Sequence, residues 1–279
     1  MNRLRLLKIS CLVVVCITLL LTFIYLFFPL KSLNSALNME LSAQGLTLVP
    51  VAHKTILPGI VWEKPVLSSD QGALISMERL KVQLRLMPIL LGQIRVKADS
   101  RIGVGRMNLE LGLTGKEAFS IDSDGTSLAD IPFFSSVLKA KAGGQLWSQG
   151  KLNRTAKGLQ GEIKLEIKQL EFAGAKLGAF ALPDVKGLST QGIVRFTDNN
   201  ARLESFTLQG DGIYMRLSGN LPGGANALNA PLDLILEIMP KPEFLENQKL
   251  VFMLLTKFMV SPGNFRVPIR GTILKPEIV

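Results

Sequence analysis

Cysteine and histidine are nearly missing from this chain, and their scarcity removes most of the chemistry that a sequence can advertise. The two cysteines, Cys11 and Cys16, both fall inside one apolar run near the N-terminus, so the remainder has neither a disulfide nor a thiol nucleophile. His53 is the only histidine, which leaves imidazole metal sites and Ser-His-Asp arrangements a single base. It stands beside Lys54 in a polar segment, the setting of a solvent-exposed side chain. Aromatic residues make up 6% of the chain, with Tyr25 and Tyr214 the only tyrosines. A nucleic-acid binder would need a denser basic patch interleaved with aromatics, so no nucleic-acid partner is expected. Asp122-Ser123-Asp124-Gly125 starts like a calcium loop but lacks the liganding glutamate at its far end, and reads as a turn. Gly103-Val104-Gly105 lacks the third glycine and the strand-to-helix setting of a nucleotide loop. The expectation is a protein without catalytic residues, cofactor or metal.

What is present is concentrated first in residues 9–30, ISCLVVVCITLLLTFIYLFFPL, which contain no charge. As a helix this run spans roughly 33 Å, enough for a hydrocarbon core of about 30 Å. Arg3, Arg5 and Lys8 precede it and no acidic residue does, so the N-terminus is expected inside and the chain from Lys31 onward outside. The apolar core is too long for a cleaved signal peptide, and 29–33 (PLKSL) offers no small-residue cleavage site. The formal net charge is +10. Beyond the N-terminal cations it is thinly spread, as at Arg79, Lys81, Arg85, Arg95, Lys97 and Arg101, which suits a mild preference for anionic headgroups or acidic partners.

After the run, Leu33, Leu37 and Leu41 recur every four residues with Asn34, Asn38 and Glu40 between them. This spacing predicts a short amphipathic helix over 32–43, ended by Gly45. Such a helix either caps the base of the domain or lies in the membrane interface. Strand texture follows from Leu46. Residues 77–86 alternate apolar and polar almost without fault, as do 93–98, 106–113 and 161–172, and 144–152 has strand texture. Residues 192–196, 201–209 and 212–221 form a meander, and 232–239 and 265–274 bring the expected total to ten to twelve strands. Proline and glycine mark the connection at 87–92 (MPILLG), while 197–200 (TDNN) and 210–212 (GDG) supply residues that tolerate positive φ. Residues 114–142 are less regular, with a short helix expected at 132–138, and form the candidate division between two β halves. Residues 243–260, between Pro242 and Pro262, predict a second helix with Phe244, Val251, Phe252, Leu255, Phe258 and Met259 largely on one face. Its four charged residues make it a poor membrane span; it either caps an open end of the sheet or touches the membrane or a partner.

The expected fold class is therefore mainly β: an N-terminal transmembrane helix, then a long twisted antiparallel sheet with one or two capping helices. Such a sheet has one apolar face that must be covered or used. Covered, the domain is a scaffold; left partly open, it offers a groove for an acyl chain or a partner strand.

Three segments, taken in order, resemble the type II secretion system protein N family and the AsmA-like group to which it is related. The first is 57–62 (LPGIVW) with the strand at 77–86 and the turn at 87–92. The second is the meander 192–221, ending in RLSGNL. The third is the tail 265–276 (FRVPIRGTILKP), similar to the strand-G-T-L-x-x-P endings of that group. The resemblance implies an AsmA-like β-groove or open barrel in the bacterial periplasm, with 1–8 cytoplasmic, 9–30 a single-pass inner-membrane anchor and 31–279 periplasmic. It further implies an accessory or assembly component of a type II secretion system, acting through contacts with other secretion-system proteins on the inner-membrane platform or secretin side. No site residues carry over, because no member is expected to be catalytic. AsmA-like relatives imply the alternative, a lipid-binding or lipid-transfer module whose hydrophobic groove takes phospholipid. A chain this short cannot cross the periplasm, which weighs against a single-copy conduit.

Overall fold

A computed structural model of the chain describes residues 30–55, 58–178, 180–198, 200–223 and 227–279. The expected anchor, 9–30, lies outside them except for Leu30, the first residue of helix α1 (Leu30–Ala43). No helix among the described residues is long and apolar enough to cross a membrane. Gly45, at φ +73°, ends α1 as its position in the sequence predicts.

Strands β1 (Leu46–Val49), β2 (His53–Lys54), β3 (Gly59–Glu63), β4 (Val66–Ser69), β5 (Gly72–Ser76) and β6 (Arg79–Leu84) come first. The five-residue helix α2 (Leu86–Leu90) joins β6 to β7 (Arg95–Ile102), β8 (Gly105–Gly112) and β9 (Glu117–Ser127). A 3-10 turn (Leu128–Asp130) and α3 (Phe133–Ser136) lead to the two longest strands, β10 (Lys141–Thr155) and β11 (Gly158–Ala173). The hairpin of β12 (Lys176–Leu177) and β13 (Phe180–Ala181) precedes β14 (Val185–Thr197), β15 (Asn200–Gln209), β16 (Ile213–Leu221) and β17 (Asp233–Pro240). Helices α4 (Pro242–Asn247) and α5 (Lys249–Leu255), with a 3-10 turn, lead to β18 (Met259–Ser261), β19 (Asn264–Gly271) and β20 (Pro276–Ile278).

The chain is mainly β: 59% of the described residues are strand and 16% helix. Fifteen strands form one antiparallel sheet in the order β18-β19-β17-β16-β15-β14-β11-β10-β9-β8-β7-β6-β3-β2, with β20 paired to β19. Strands β1, β4 and β5 make a separate three-stranded sheet. The expected ten to twelve strands undercount, because very short strands such as β2, β12 and β20 carry no readable alternation. Strand β9 was also missed, since its run EAFSIDSDGTS is too polar to show a period.

Because neighbouring strands are antiparallel, the sheet has two distinct ends. At one end, the hairpin end, lie the links 113–116 between β8 and β9, 156–157 between β10 and β11, α2 between β6 and β7, and a longer one between β16 and β17. From the opposite end four insertions leave: 64–78 with β4 and β5, 128–140, 174–184, and 241–263. The last three fold over the apolar face of the C-terminal strands, where the main core lies around Leu170, Leu188, Ile238, Leu255 and Val267. The small sheet and the end of α1 build a second cluster, in which Leu46 and Leu74 pack with Leu274. There Lys275 Nζ lies 2.8 Å from Asp70 Oδ2, and Asn229 donates to the Gln44 carbonyl at 3.1 Å. This clasp ties the start of the described chain to the loops at the far end of β17 and β19.

Three expectations need correction. Residues 122–125 are not a turn but lie inside β9. Gly125, at φ +63°, sits where Asp124 and Gly125 together oppose Trp147, so the turn chemistry has been used for a β-bulge. Residues 243–260 are not one helix. Gln248 (φ −121°, ψ 35°) separates α4 from α5. Its amide spans Asp184, accepting from the Asp184 N–H and donating to its carbonyl, both at 2.7 Å. A tertiary contact thus breaks the helix, and its predicted last residues, Met259 and Val260, form strand β18 instead. Residues 114–142 are not irregular throughout: β9 occupies 117–127 and pairs with β10, so the sheet runs unbroken through this stretch.

Candidate functional site

The apolar side chains of the strands line up across the sheet. Residues paired across successive strands make a row of Ile60, Val82, Ala98, Leu109, Ile121, Gly150, Ile163, Val194, Leu203, Gly219, Leu234, Ile269 and Ile278. No polar side chain interrupts it from β3 to β20. A parallel row runs Leu84, Val96, Leu111, Phe119, Leu152. A third contains the hydroxyls Ser100, Ser123 and Ser148; the last two are buried and hydrogen-bond each other at 2.8 Å, so this polar interruption is internally satisfied.

The opposite face carries the charges in cross-strand and same-strand pairs. Arg85 meets Glu110, Arg95 meets Glu117 at 2.6 Å, and Arg195 meets Glu204 at 2.9 Å. Such exposed pairs contribute little to stability individually; what they establish is which face meets water. A polar hollow of ≈ 740 Å³ on this side surrounds Trp147. Its indole N–H donates to Asp124 at 2.8 Å, and Lys168 Nζ stands 4.6 Å from the ring centroid. The ring's hydrogen-bonding edge and one of its faces are therefore already engaged by the protein.

The apolar face is treated differently at its two ends. From the end of β11 and across the C-terminal strands it is covered by the insertions. Phe252 of α5 packs on Phe265 with ring centroids 5.2 Å apart, and Phe134 packs on Phe172 at 5.6 Å. The cover is incomplete. Between it and the sheet lies a cavity of ≈ 430 Å³, bounded on the sheet by Leu208, Met215, Leu217 and Leu236 and on the cover by Phe133 and Leu182. Every residue lining it is apolar. On β6 to β9 no described segment folds over the same face comparably: Leu80, Val82, Val96, Leu109 and Ile121 are half-buried, and Leu111 is 47% exposed.

The other residues weighed in the sequence do not converge. His53 is exposed on the edge strand β2. Gly103 and Val104 form the two-residue turn between β7 and β8, with Gly103 at φ +55°. Among the described residues no group of three or more His, Cys, Asp or Glu is placed to hold a metal ion. What the arrangement can do chemically is bind apolar matter by contact. Sequence reasoning found the alternation in most long strands but missed the cavity, because its cover comes from segments far apart in the chain with no common pattern. No family model, curated protein or solved structure matches the chain.

Proposed function

We propose that this chain is a membrane-tethered module that holds the acyl chains of phospholipid against the apolar face of its sheet. The observation that carries this reading is the wholly apolar cavity of ≈ 430 Å³ set on a face that continues, uninterrupted, to the uncovered strands. Its volume falls in the range of about 300–1,000 Å³ typical of ligand sites. Each methylene taken out of water contributes about 0.8 kcal/mol, so some ten of them supply about 8 kcal/mol before the cost of ordering the ligand. In this reading the sheet is a β-groove of the AsmA-like kind, and residues 9–30 hold it on the periplasmic side of the bacterial inner membrane. The test is photo-crosslinking of the full chain, reconstituted in vesicles that contain a diazirine-bearing phospholipid. Adducts are expected on peptides from 203–221 and 232–240, and filling the cavity by Leu217→Trp is expected to reduce them severalfold. Adducts confined to 9–30 would overturn the reading.

A second reading, an accessory component of a type II secretion system acting by protein contacts, is favoured by one separate observation. Leu250, Met253 and Leu254 of α5 and Met259 and Val260 of β18 are exposed together at the opposite edge of the sheet, and contiguous exposed apolar surface marks an interaction site. A photo-crosslinker placed at Met253 in cells is expected to capture a protein of the secretion machinery; labelling of lipid alone there would remove this reading.

A further inference from the structure

The uncovered half of the sheet ends in apolar side chains that point into solvent. The row Leu84, Val96, Leu111 leads at the hairpin end to Ile94 and Leu113, which are joined by the Leu113 N–H to the Ile94 carbonyl at 2.9 Å. Both are exposed, and beyond them α2 presents Met87 and Leu91 at 78% and 80% exposure. Isolated exposed apolar residues are ordinary, but these form the continuation of one face.

The rim of this tip is cationic. Its carboxylates, Glu110 and Glu117, are engaged by Arg85 and Arg95. Lys116 and Lys157, in the two neighbouring turns, are exposed, and among the described residues neither is in an ion pair. Arg154 holds the first of these turns in shape, donating to the carbonyls of Gly112 at 3.0 Å, Leu113 at 3.2 Å and Gly115 at 3.3 Å. A turn tied at three carbonyls keeps Leu113 at the surface instead of letting it fold back onto the sheet.

Apolar side chains beside exposed lysines match one surface chemistry, a bilayer with anionic headgroups: the apolar groups enter the acyl boundary while the lysines remain at headgroup level. We infer that this tip docks on an anionic phospholipid bilayer and is the mouth through which an acyl chain reaches the apolar face. The inference rests on the acyl-binding reading, and its test separates the two.

The experiment uses the full chain with Cys11→Ser, Cys16→Ser and Met87→Cys, labelled at position 87 with an environment-sensitive NBD fluorophore and held in a phosphatidylcholine nanodisc. Vesicles of phosphatidylcholine with a quarter phosphatidylglycerol are then added, and a second preparation carries phosphatidylglycerol in the nanodisc itself. A blue shift of emission in either setting is the expected result; no shift in either overturns the inference. In co-sedimentation with the anionic vesicles, Met87→Asp and Leu91→Asp are each expected to weaken binding about tenfold. Lys116→Ala and Lys157→Ala are each expected to weaken it about fivefold and to flatten its salt dependence. These side chains are exposed, so far-UV circular dichroism should not change, and unaltered vesicle binding by all four variants also overturns the inference. Adducts on 203–240 without an emission shift would overturn the mouth and leave acyl binding standing. A shift without such adducts would overturn acyl binding, and the mouth with it.

Discussion

Strands β6 to β8 and strands β14 to β17 both place apolar side chains on one face, yet they meet different surroundings. Along the same cross-strand row, Val82, Leu109 and Ile121 remain half-buried while Val194, Leu203, Leu234 and Ile269 are buried. The difference lies in the insertions and not in the strands. Segments 128–140, 174–184 and 241–263 leave from one end of the sheet and fold over the C-terminal half. The corresponding insertion of the N-terminal half, 64–78, builds its own small sheet and packs instead against Phe133 and Leu274. An apolar face therefore predicts burial only where another part of the chain is long enough and apolar enough to reach it.

The largest expected effect breaks this comparison at its covered end. Ile238, with 0% exposure, should cost about 3–4 kcal/mol on Ile238→Ala, by lost transfer energy and the cavity left behind. Leu109→Ala, on the same face but uncovered, should cost about 1 kcal/mol. Urea unfolding of both variants decides, and equal losses would show that the open half is covered in solution. Next is Gln248→Ala, which removes both hydrogen bonds to Asp184 and should cost about 1–2 kcal/mol, with faster hydrogen exchange across 242–255. An exchange pattern unchanged there would mean that Gln248 does not hold the cover. Thr126 sits at the inner border of the open half, wholly buried on β9, with its hydroxyl unpartnered. Thr126→Val keeps the shape and removes the orphaned group, so a gain of about 1 kcal/mol in thermal unfolding is expected.

The smallest effect concerns the clasp. The Lys275 ammonium, hydrogen-bonded to Asp70, and the Gln71 side chain beside it hold the Asp70 carboxyl below its ordinary range. A carboxylate whose folded pKa is lowered adds stability above its unfolded pKa, and that stability is lost as the pH falls through the folded one. Asp70→Asn should thus lower the melting temperature slightly at neutral pH and leave it unchanged under strongly acidic conditions. A difference that persists in acid would remove the ion pair as its cause. The pair is fully exposed, which keeps its contribution small.

Much of the β architecture is legible residue by residue. Runs such as GEIKLEIKQLEF, now within β11, could only place one face in water; the expected strands at 161–172 and 201–209 fall inside β11 and β15, and 232–239 is offset by one residue from β17. Gly45 ends α1 where its spacing predicts, since a positive φ suits glycine better than any other residue. The site was legible only as a possibility. The row from Ile60 to Ile278 depends on register across thirteen strands, and register is set between strands that can be far apart in the chain. The break at Gln248 was invisible because helical periodicity in 243–260 is genuine, and only Asp184, distant in sequence, competes with it.

By itself the sequence determined an apolar run flanked by cations, a mainly β chain beyond it, and a scarcity of cysteine and histidine. These follow from local spacing and composition, which act within a few residues. Only the tertiary structure decided which half of the apolar face is closed, where a cavity remains beneath the cover, and that the open half ends in the exposed tip at Met87, Leu91 and Leu113. Those outcomes depend on where the insertions land, and that is settled by apolar surfaces meeting at a distance, not by the pattern of any one segment.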